Sequence, residues 1–122
     1  MQNATRLLDT YRTQLCTFND DVQGTAAIAT GTLLSAVQVT GIHLREQRIV
    51  IVGAGSAGCG IAELIVHAMI DDGISEKEAR DRIYMIDRNG LLVEGMEGLL
   101  PFQQKLLKSK QAIANWQCEN KT

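Results

Sequence analysis

The sequence predicts an α/β fold, consisting of part of a doubly wound parallel sheet preceded by two helices. Residues 49–52 read IVIV, a β-branched apolar run typical of a strand buried on both faces of a parallel sheet. The glycine-rich turn GAGSAG follows at residues 53–58, before apolar residues at helical spacing. Residues 83–87, IYMID, predict a second strand that ends in an acid. Because a complete sheet of this kind has about six strands, we expect only part of one here.

The glycine turn has the spacing G-x-G-x-x-G between a strand and a helix, as in Rossmann-type nucleotide-binding domains. Gly53 allows a sharp turn, Gly55 leaves no Cβ in the way of a pyrophosphate, and Gly58 lets the helix lie close to the strand. The helix is expected to begin near Ser56, where its unpaired N–H groups face the phosphates. A purely structural turn is the alternative, but the strand and helix on either side favour nucleotide binding.

Asp87 ends the second predicted strand, where Rossmann-type domains place an acid that binds the adenosine ribose. Its carboxylate accepts hydrogen bonds from the ribose hydroxyls and repels a 2′-phosphate, which favours NAD. Asp87 lies further from Gly58 than in the compact motif, and a short helix around residues 75–82 accounts for the extra length. Arg88 could pair with a 2′-phosphate, so NADP stays open.

Two helices are predicted before the first strand. Residues 3–15 carry apolar side chains mostly on one side, which indicates an amphipathic helix. An uncharged helix is expected over residues 25–39. The first helix begins abruptly, so we expect the chain to be a piece of a larger protein. We divide it into a helical lead-in, residues 1–47, and a partial Rossmann NAD-binding domain, residues 48–122.

Shorter elements are predicted around and after the second strand. Ser75-Glu76-Lys77-Glu78 has the form of a capping box that opens a short helix. Asn89-Gly90 predicts a turn, and residues 91–93 a short extended piece. Pro101 is expected to start a last helix that runs through Leu107, and Trp116 is expected to pack onto the body of the domain.

Composition and charge exclude several classes of protein. The chain has 122 residues, 45% hydrophobic, with a net charge of −2 and no block of basic residues, so we expect no nucleic-acid partner. Residues 22–44 contain no charged side chain but too many polar ones for a membrane span, and no secretory signal is visible.

The three cysteines, Cys16, Cys59 and Cys118, are widely spaced, which indicates reduced thiols in a cytoplasmic protein. Cys59 is expected to fill the contact between helix and strand rather than to act as a redox site.

Two adjacent carboxylates, Asp20 and Asp21, precede the uncharged helix in the segment FNDD. One interpretation is that Asp20 or Asp21 helps to satisfy free N–H groups at the helix start. The other is a site for Mg²⁺ or Mn²⁺, which prefer carboxylate oxygens. Neighbouring carboxylates in an extended segment point in different directions, so we expect at most one to bind a metal directly. The residues alone favour neither interpretation.

Three blocks, YRTQLCTFNDDVQGTAA, IVIVGAGSAGCGIAELI and IYMIDRNGLLVEG, resemble the NAD-binding region of bacterial and mitochondrial malic enzymes. The likeness covers nearly the whole chain, and the FNDDVQGTAA block is its most specific part. The resemblance implies that Asp21 is a ligand of the divalent metal and that Asp20 supports a catalytic lysine. It also implies a set of residues that hold the cofactor: Thr25, Gly53, Gly55, Ser56, Ala57, Gly58, Asp87 and Arg88.

Malic enzymes oxidise L-malate with NAD(P)⁺ and decarboxylate the bound oxaloacetate to pyruvate and CO₂, with a divalent metal that polarises the substrate oxygen. The family also needs a tyrosine acid, a lysine base and a Glu-Asp pair of metal ligands, none of which this chain matches. Tyr11 and Lys77 do not occupy those motifs. We therefore expect the isolated chain not to turn over malate.

Two other functions fit the same residues. A malolactic enzyme shares these blocks but releases lactate, and a non-catalytic assembly fragment would use the glycine turn for packing only. We expect self-association into a homo-oligomer, because missing strands leave apolar faces exposed. The resemblance implies the cytoplasm of a bacterium, or the mitochondrial matrix of a eukaryote.

Overall fold

The computed structural model of the chain describes residues 3–116. Its α-helices are α1 (Ala4–Tyr11), α2 (Thr25–Thr40), α3 (Ser56–Asp71), α4 (Glu76–Asp81) and α5 (Pro101–Gln104). Its strands are β1 (Ile49–Val52), β2 (Ile83–Asp87) and β3 (Gly90–Leu91). A π-helical turn, Asp20–Gly24, leads into α2, and 3₁₀ turns occupy Leu44–Glu46 and Gln111–Ile113.

The strands form one sheet in the order β1-β2-β3. β1 and β2 are parallel, with Ile49 opposite Ile83 and Val52 opposite Ile86, so the two strands end side by side. The connection between them runs through α3 and α4, as parallel pairing requires. β3 pairs with β2 antiparallel. This partly parallel sheet with its helices confirms the predicted α/β class.

One apolar cluster joins α3 to β2 and to the segment after the sheet. Its largest fully buried side chains are Val66, Met69, Ile83, Met85 and Leu92. The two on α3 are three residues apart and the two on β2 alternate, so each element turns one apolar face to the other. Burying a side chain of this size stabilises the fold by about 1.5–3 kcal/mol. This cluster holds α3 against the sheet.

β1 is an edge strand of the sheet in residues 3–116, and one of its faces is open. Val50 is 58% exposed and Val52 is 81% exposed. These two side chains point to the same face because alternate residues of a strand do so. The prediction that this strand is buried on both faces is therefore wrong for the described part of the chain.

Two helices are shorter than the sequence pattern predicts. α1 ends at Tyr11 and buries only Leu8, while Leu15 is 61% exposed. A helix with so little buried surface has little tertiary packing to extend it. α5 ends at Gln104 rather than at Leu107, because the chain turns there and the N–H of Lys108 pairs with the carbonyl of Leu92 at 3.0 Å.

The turn after β2 lies one residue earlier than predicted. Gly90 already pairs with Asp87, so the turn consists of Arg88 and Asn89, and β3 covers Gly90–Leu91 rather than residues 91–93. Gly90 has φ +97°, which favours glycine.

The predicted capping box is confirmed at the start of α4. The N–H of Glu78 donates to Oγ of Ser75 at 3.3 Å, and the N–H of Ser75 donates to Oε2 of Glu78 at 3.0 Å. The two residues thus satisfy each other's free backbone donors.

Further predictions concern an aromatic residue, the thiols and the membrane. Trp116 packs on Tyr84 with ring centroids 5.3 Å apart, as expected. Cys16 is exposed and Cys59 is buried, and both are free thiols, while Cys118 lies outside the described residues. Across residues 3–116, every helix falls short of the length and apolarity needed to cross a bilayer.

Candidate functional site

The glycine turn and Asp87 lie side by side where β1 and β2 end. The N–H of Gly53 donates to the carbonyl of Ile86 at 2.7 Å, which extends the parallel pairing one residue beyond β1. Gly53 has φ +112°, so the chain turns at a residue that tolerates this conformation. Asp87 follows Ile86 directly. The turn and the acid predicted to hold two parts of one ligand are therefore neighbours.

Gly58 is needed for packing. A Cβ atom on Gly58 would overlap the carbonyl oxygen of Gly53 and would lie 3.5 Å from Cγ2 of Ile51. A side chain there would push α3 away from β1. The predicted packing role of Gly58 is confirmed.

Gly55 has a different environment. A Cβ atom on Gly55 would meet no other atom within 4 Å, and its φ of −80° suits any residue. Neither packing nor backbone conformation within the described chain therefore requires glycine at this position. The space in front of Gly55 is open.

The N-terminus of α3 faces that open space. α3 begins at Ser56, as predicted, with Gly55 as its N-cap, so no side chain caps it and no acid lies in its first turn. The N–H groups of Ser56, Ala57 and Gly58 have no acceptor within the helix, since the first N–H groups of any helix lack one. Together with the helix dipole they favour an anion.

The carboxylate of Asp87 is half-buried and held on both oxygens. Oδ1 accepts from the backbone N–H of Arg88 at 2.8 Å, and Oδ2 accepts from Nε2 of Gln103 at 3.4 Å. The side chain of Arg88 is exposed. A carboxylate has about four acceptor positions, so Asp87 can accept two further hydrogen bonds from a ligand.

Gln103 is a site residue that the sequence did not reveal. It is 6% exposed, and its Nε2 also donates to the carbonyl of Ala54 at 2.8 Å, inside the glycine turn. Its Oε1 accepts from the N–H of Leu100 at 2.8 Å. Pro101 followed by a glutamine two residues later is typical of a helix start, which could have predicted the bond to Leu100. Nothing local predicts the bonds to Ala54 and Asp87.

A cavity of about 220 Å³ opens beside Asp87, and Arg88, Met96, Leu100 and Gln103 contribute to its walls. It combines a carboxylate with apolar side chains, which suits a ribose and a base. A larger cavity of about 450 Å³ lies at the other end of α3, next to Asp72. That cavity is remote from the glycine turn, so the smaller one is the candidate cavity for the predicted nucleotide.

The acidic segment forms a π-helical turn, and the expectation of an extended segment is wrong. Oδ1 of Asn19 accepts from the N–H of Val22 at 3.0 Å, and Oε1 of Gln23 accepts from the N–H of Asn19 at 3.0 Å. Within residues 3–116, Asn19 and not an acid caps this turn. Asp20 and Asp21 are exposed.

This acidic turn packs directly on α3. A Cβ atom on Gly60 would lie 2.7 Å from the carbonyl oxygen of Val22, so a side chain at residue 60 would separate the two elements. Thr25 is exposed at the start of α2, and its N–H donates to the carbonyl of Asp20. The acidic turn thus lies one helical turn from the N-terminus of α3.

The described residues do not complete a metal site. Across residues 3–116, no group of three or more His, Cys, Asp or Glu side chains could surround a cation. Asp20 and Asp21 are hard oxygen donors on an exposed turn, which suits Mg²⁺ or Mn²⁺ in chemistry but not in number.

Cys59 lies under the glycine turn. Its Sγ donates to the carbonyl of Ala54 at 3.5 Å, and burial raises the pKa of the thiol to about 12, with the charges of Glu63 and Asp87 adding to the effect. A thiol with this pKa stays protonated near neutral pH. The packing role predicted for Cys59 agrees with this environment.

Comparison with known proteins decides the family. The profile of the family described as "Malic enzyme, NAD binding domain" matches residues 22–122. The chain belongs to this family. Its malic enzyme relatives include the NAD-dependent malic enzyme of Edwardsiella ictaluri, 53% identical over 98% of the chain and 21% of that protein. The NAD-dependent malic enzyme of Pectobacterium carotovorum is 50% identical over the same shares. The chain spans about a fifth of the length of the curated relatives it matches.

Solved structures support the same assignment. The crystal structure of the Entamoeba histolytica malic enzyme is similar with a TM-score of 0.65 and 32% identity, covering 80% of this chain and 19% of that one. A structure described as a putative malic enzyme (malate oxidoreductase) has a TM-score of 0.67 at 24% identity, covering 88% of this chain and 27% of that one. The second likeness concerns the fold alone. The predicted family and the predicted Rossmann-type fold are confirmed.

Proposed function

We propose that this chain binds NAD at the edge where β1 and β2 end, as the cofactor-binding part of a malic enzyme. The observation that carries the proposal is Gly55. It is a glycine in open space that neither a close contact nor a positive φ requires, directly in front of the free N–H groups of α3. A pyrophosphate that approaches the backbone closely supplies the missing reason.

Each predicted cofactor residue has a role in this proposal. Gly53 and Gly58 shape the turn, and the N–H groups of Ser56 and Ala57 donate to the phosphates. Asp87 accepts from the ribose hydroxyls in the cavity beside it. The family resemblance supports two further cofactor contacts, Thr25 and Arg88.

We infer NAD rather than NADP as the cofactor. The carboxylate of Asp87 accepts hydrogen bonds from the N–H of Arg88 and from Nε2 of Gln103, and a carboxylate beside the ribose repels a 2′-phosphate. The names of the relatives, NAD-dependent malic enzymes, support this choice.

We propose that the acidic turn contributes to a divalent metal site in the complete protein. Asp21 would supply an oxygen ligand to Mg²⁺ or Mn²⁺, and Asp20 would support a catalytic lysine from outside this chain. When bound, the metal polarises the substrate oxygen. The contact between Gly60 and Val22 supports the proposal, since it keeps the two carboxylates close to the cofactor helix.

The complete protein is proposed to convert L-malate into pyruvate and CO₂ in the cytoplasm of a bacterium, as a homo-oligomer. The boundary at residue 47 between lead-in and cofactor domain remains a prediction.

We expect the 122-residue chain alone to be inactive, because the tyrosine, lysine and Glu-Asp motifs of the family are not matched in it. Formation of NADH from malate by the purified chain would contradict this expectation, and release of lactate by the complete protein would indicate a malolactic enzyme.

Calorimetric titration of the complete gene product with NAD and NADP tests cofactor binding. We expect NAD to bind more tightly than NADP, and Asp87→Ala to weaken NAD binding about 10- to 100-fold, since it removes charged hydrogen bonds. Asp71→Ala makes the same change on an exposed aspartate at the other end of α3 and should leave binding unchanged. Absence of NAD binding by the unaltered protein, or equal binding by Asp87→Ala, would overturn the proposal.

A further inference from the structure

Gln103 connects the two parts of the candidate site. Its amide lies 49 residues along the chain from Ala54 and 16 from Asp87, yet Nε2 donates to both, at 2.8 Å to the carbonyl of Ala54 and at 3.4 Å to Oδ2 of Asp87. One buried amide thus joins the glycine turn to the acid at the end of β2.

The orientation of this amide is fixed by its surroundings. Oε1 accepts from the backbone N–H of Leu100, and Nε2 donates to the backbone carbonyl of Ala54. Because a backbone N–H only donates and a carbonyl only accepts, the reversed amide would satisfy neither partner. The second hydrogen of Nε2 is therefore directed at Asp87 and at no competing partner among the described residues.

Gln103 also determines how the Asp87 carboxylate can rotate. Within residues 3–116, it is the one side chain that donates to this carboxylate, while the backbone N–H of Arg88 holds the other oxygen. A contact on each oxygen restrains the carboxylate, and two acceptor positions remain for a ligand. A ribose presents two neighbouring hydroxyl groups, so a fixed carboxylate plane favours accepting from both.

We propose that Gln103 is a positioning residue that sets the distance between the phosphate-binding turn and the ribose-binding acid. The proposal rests on the proposed NAD binding. Gln103 is 6% exposed and its Nε2 donates to Ala54 and to Asp87, so it acts through these two residues. Pre-arranged groups bind a ligand more tightly because less order is lost on binding.

The matched substitutions are Gln103→Glu and Gln104→Glu. Gln103→Glu keeps an oxygen for the N–H of Leu100 but loses both donated hydrogen bonds and places a second carboxylate against Asp87. Gln104→Glu makes the same chemical change on the next residue of α5, which is exposed. Gln103→Met, of similar length and without charge, separates lost hydrogen bonds from repulsion.

The experiment measures NAD and NADP affinity, with folding monitored by circular dichroism, in the complete gene product. We expect Gln103→Glu and Gln103→Met to raise the Kd for NAD about 10-fold or more, and Gln104→Glu to leave it unchanged. In turnover assays, the KM for NAD should rise while kcat changes little, since the lost contact serves binding throughout the reaction.

A double-substitution cycle separates positioning from a purely structural role. If Gln103 acts through Asp87, Gln103→Glu should cost less NAD affinity in an Asp87→Ala background than in the unaltered protein. Three outcomes would overturn the inference alone. They are an equal loss of NAD affinity in both backgrounds, unchanged NAD affinity in a folded Gln103 variant, and unfolding of both Gln103 variants. Absence of NAD binding by the unaltered protein would overturn the proposed function and the inference with it.

Discussion

A Cβ atom on Gly60 would lie 2.7 Å from the carbonyl oxygen of Val22, which means that the acidic turn rests directly on α3. The contact matters because α3 carries the proposed phosphate site and the turn carries the proposed metal ligand. Only glycine allows this approach, because a Cβ atom at residue 60 would meet backbone atoms of Val22, which cannot rotate away as the end of a side chain can.

Gly60→Ala should therefore destabilise the chain. We expect the free energy of unfolding to fall by about 1–3 kcal/mol, because α3 or the acidic turn must move to accommodate the methyl group. Urea unfolding followed by circular dichroism measures the change. Gly31→Ala is the control: a Cβ there meets no atom within 4 Å, and replacing glycine inside a helix should add about 0.5–1 kcal/mol. Equal stability of Gly60→Ala and the unaltered chain would show that the contact is loose.

Gly55→Ala should weaken NAD binding with little effect on the free energy of unfolding. Its Cβ would project into open space and its backbone conformation suits alanine, so the unfolding free energy should fall by no more than about 1 kcal/mol, the cost of alanine at an N-cap position. The same methyl group would lie between the backbone and a pyrophosphate, and NAD affinity should fall about 10-fold or more. Thermal unfolding and calorimetric titration of one preparation measure both quantities. An unchanged Kd for NAD would place the phosphates elsewhere.

Cys59 should resist alkylation while the chain is folded. Burial raises the pKa of its thiol to about 12, so the thiol stays protonated at pH 8, and the thiolate is the reactive form. The exposed Cys16 is a control in the same molecule. Treatment with iodoacetamide at pH 8 followed by peptide mass spectrometry should find Cys16 modified and Cys59 modified only after unfolding in denaturant. Equal rates for the two thiols in the folded chain would contradict the buried position of Cys59.

The parts of this fold that the sequence predicts are those determined by neighbouring residues. The run IVIV, the glycine spacing and the box formed by Ser75 and Glu78 act over a few residues, and the structure contains β1, the start of α3 and α4 where these patterns predict them. The predicted roles of Gly53 in turning the chain and of Gly58 in packing follow from backbone geometry alone, so they could also be read from spacing.

The remaining features depend on contacts between distant residues. Gln103 and Gln104 are adjacent in the sequence, and only the position of α5 relative to the glycine turn makes the first a site residue. The length of α1 depends on what covers its apolar side, and the pattern of residues 3–15 does not contain that information. The position of the acidic turn against α3 likewise depends on a contact between Val22 and Gly60, which lie far apart in the sequence.

The central claim is that the adenosine diphosphate part of NAD lies between the N-terminus of α3 and Asp87. A crystal structure of the complete gene product with NAD tests it most directly. We predict that the pyrophosphate oxygens accept from the N–H groups of Ser56 and Ala57 and that both ribose hydroxyls donate to Asp87, with distances of about 2.6–3.2 Å. A bound nucleotide whose phosphates or ribose lie away from these groups would contradict the account.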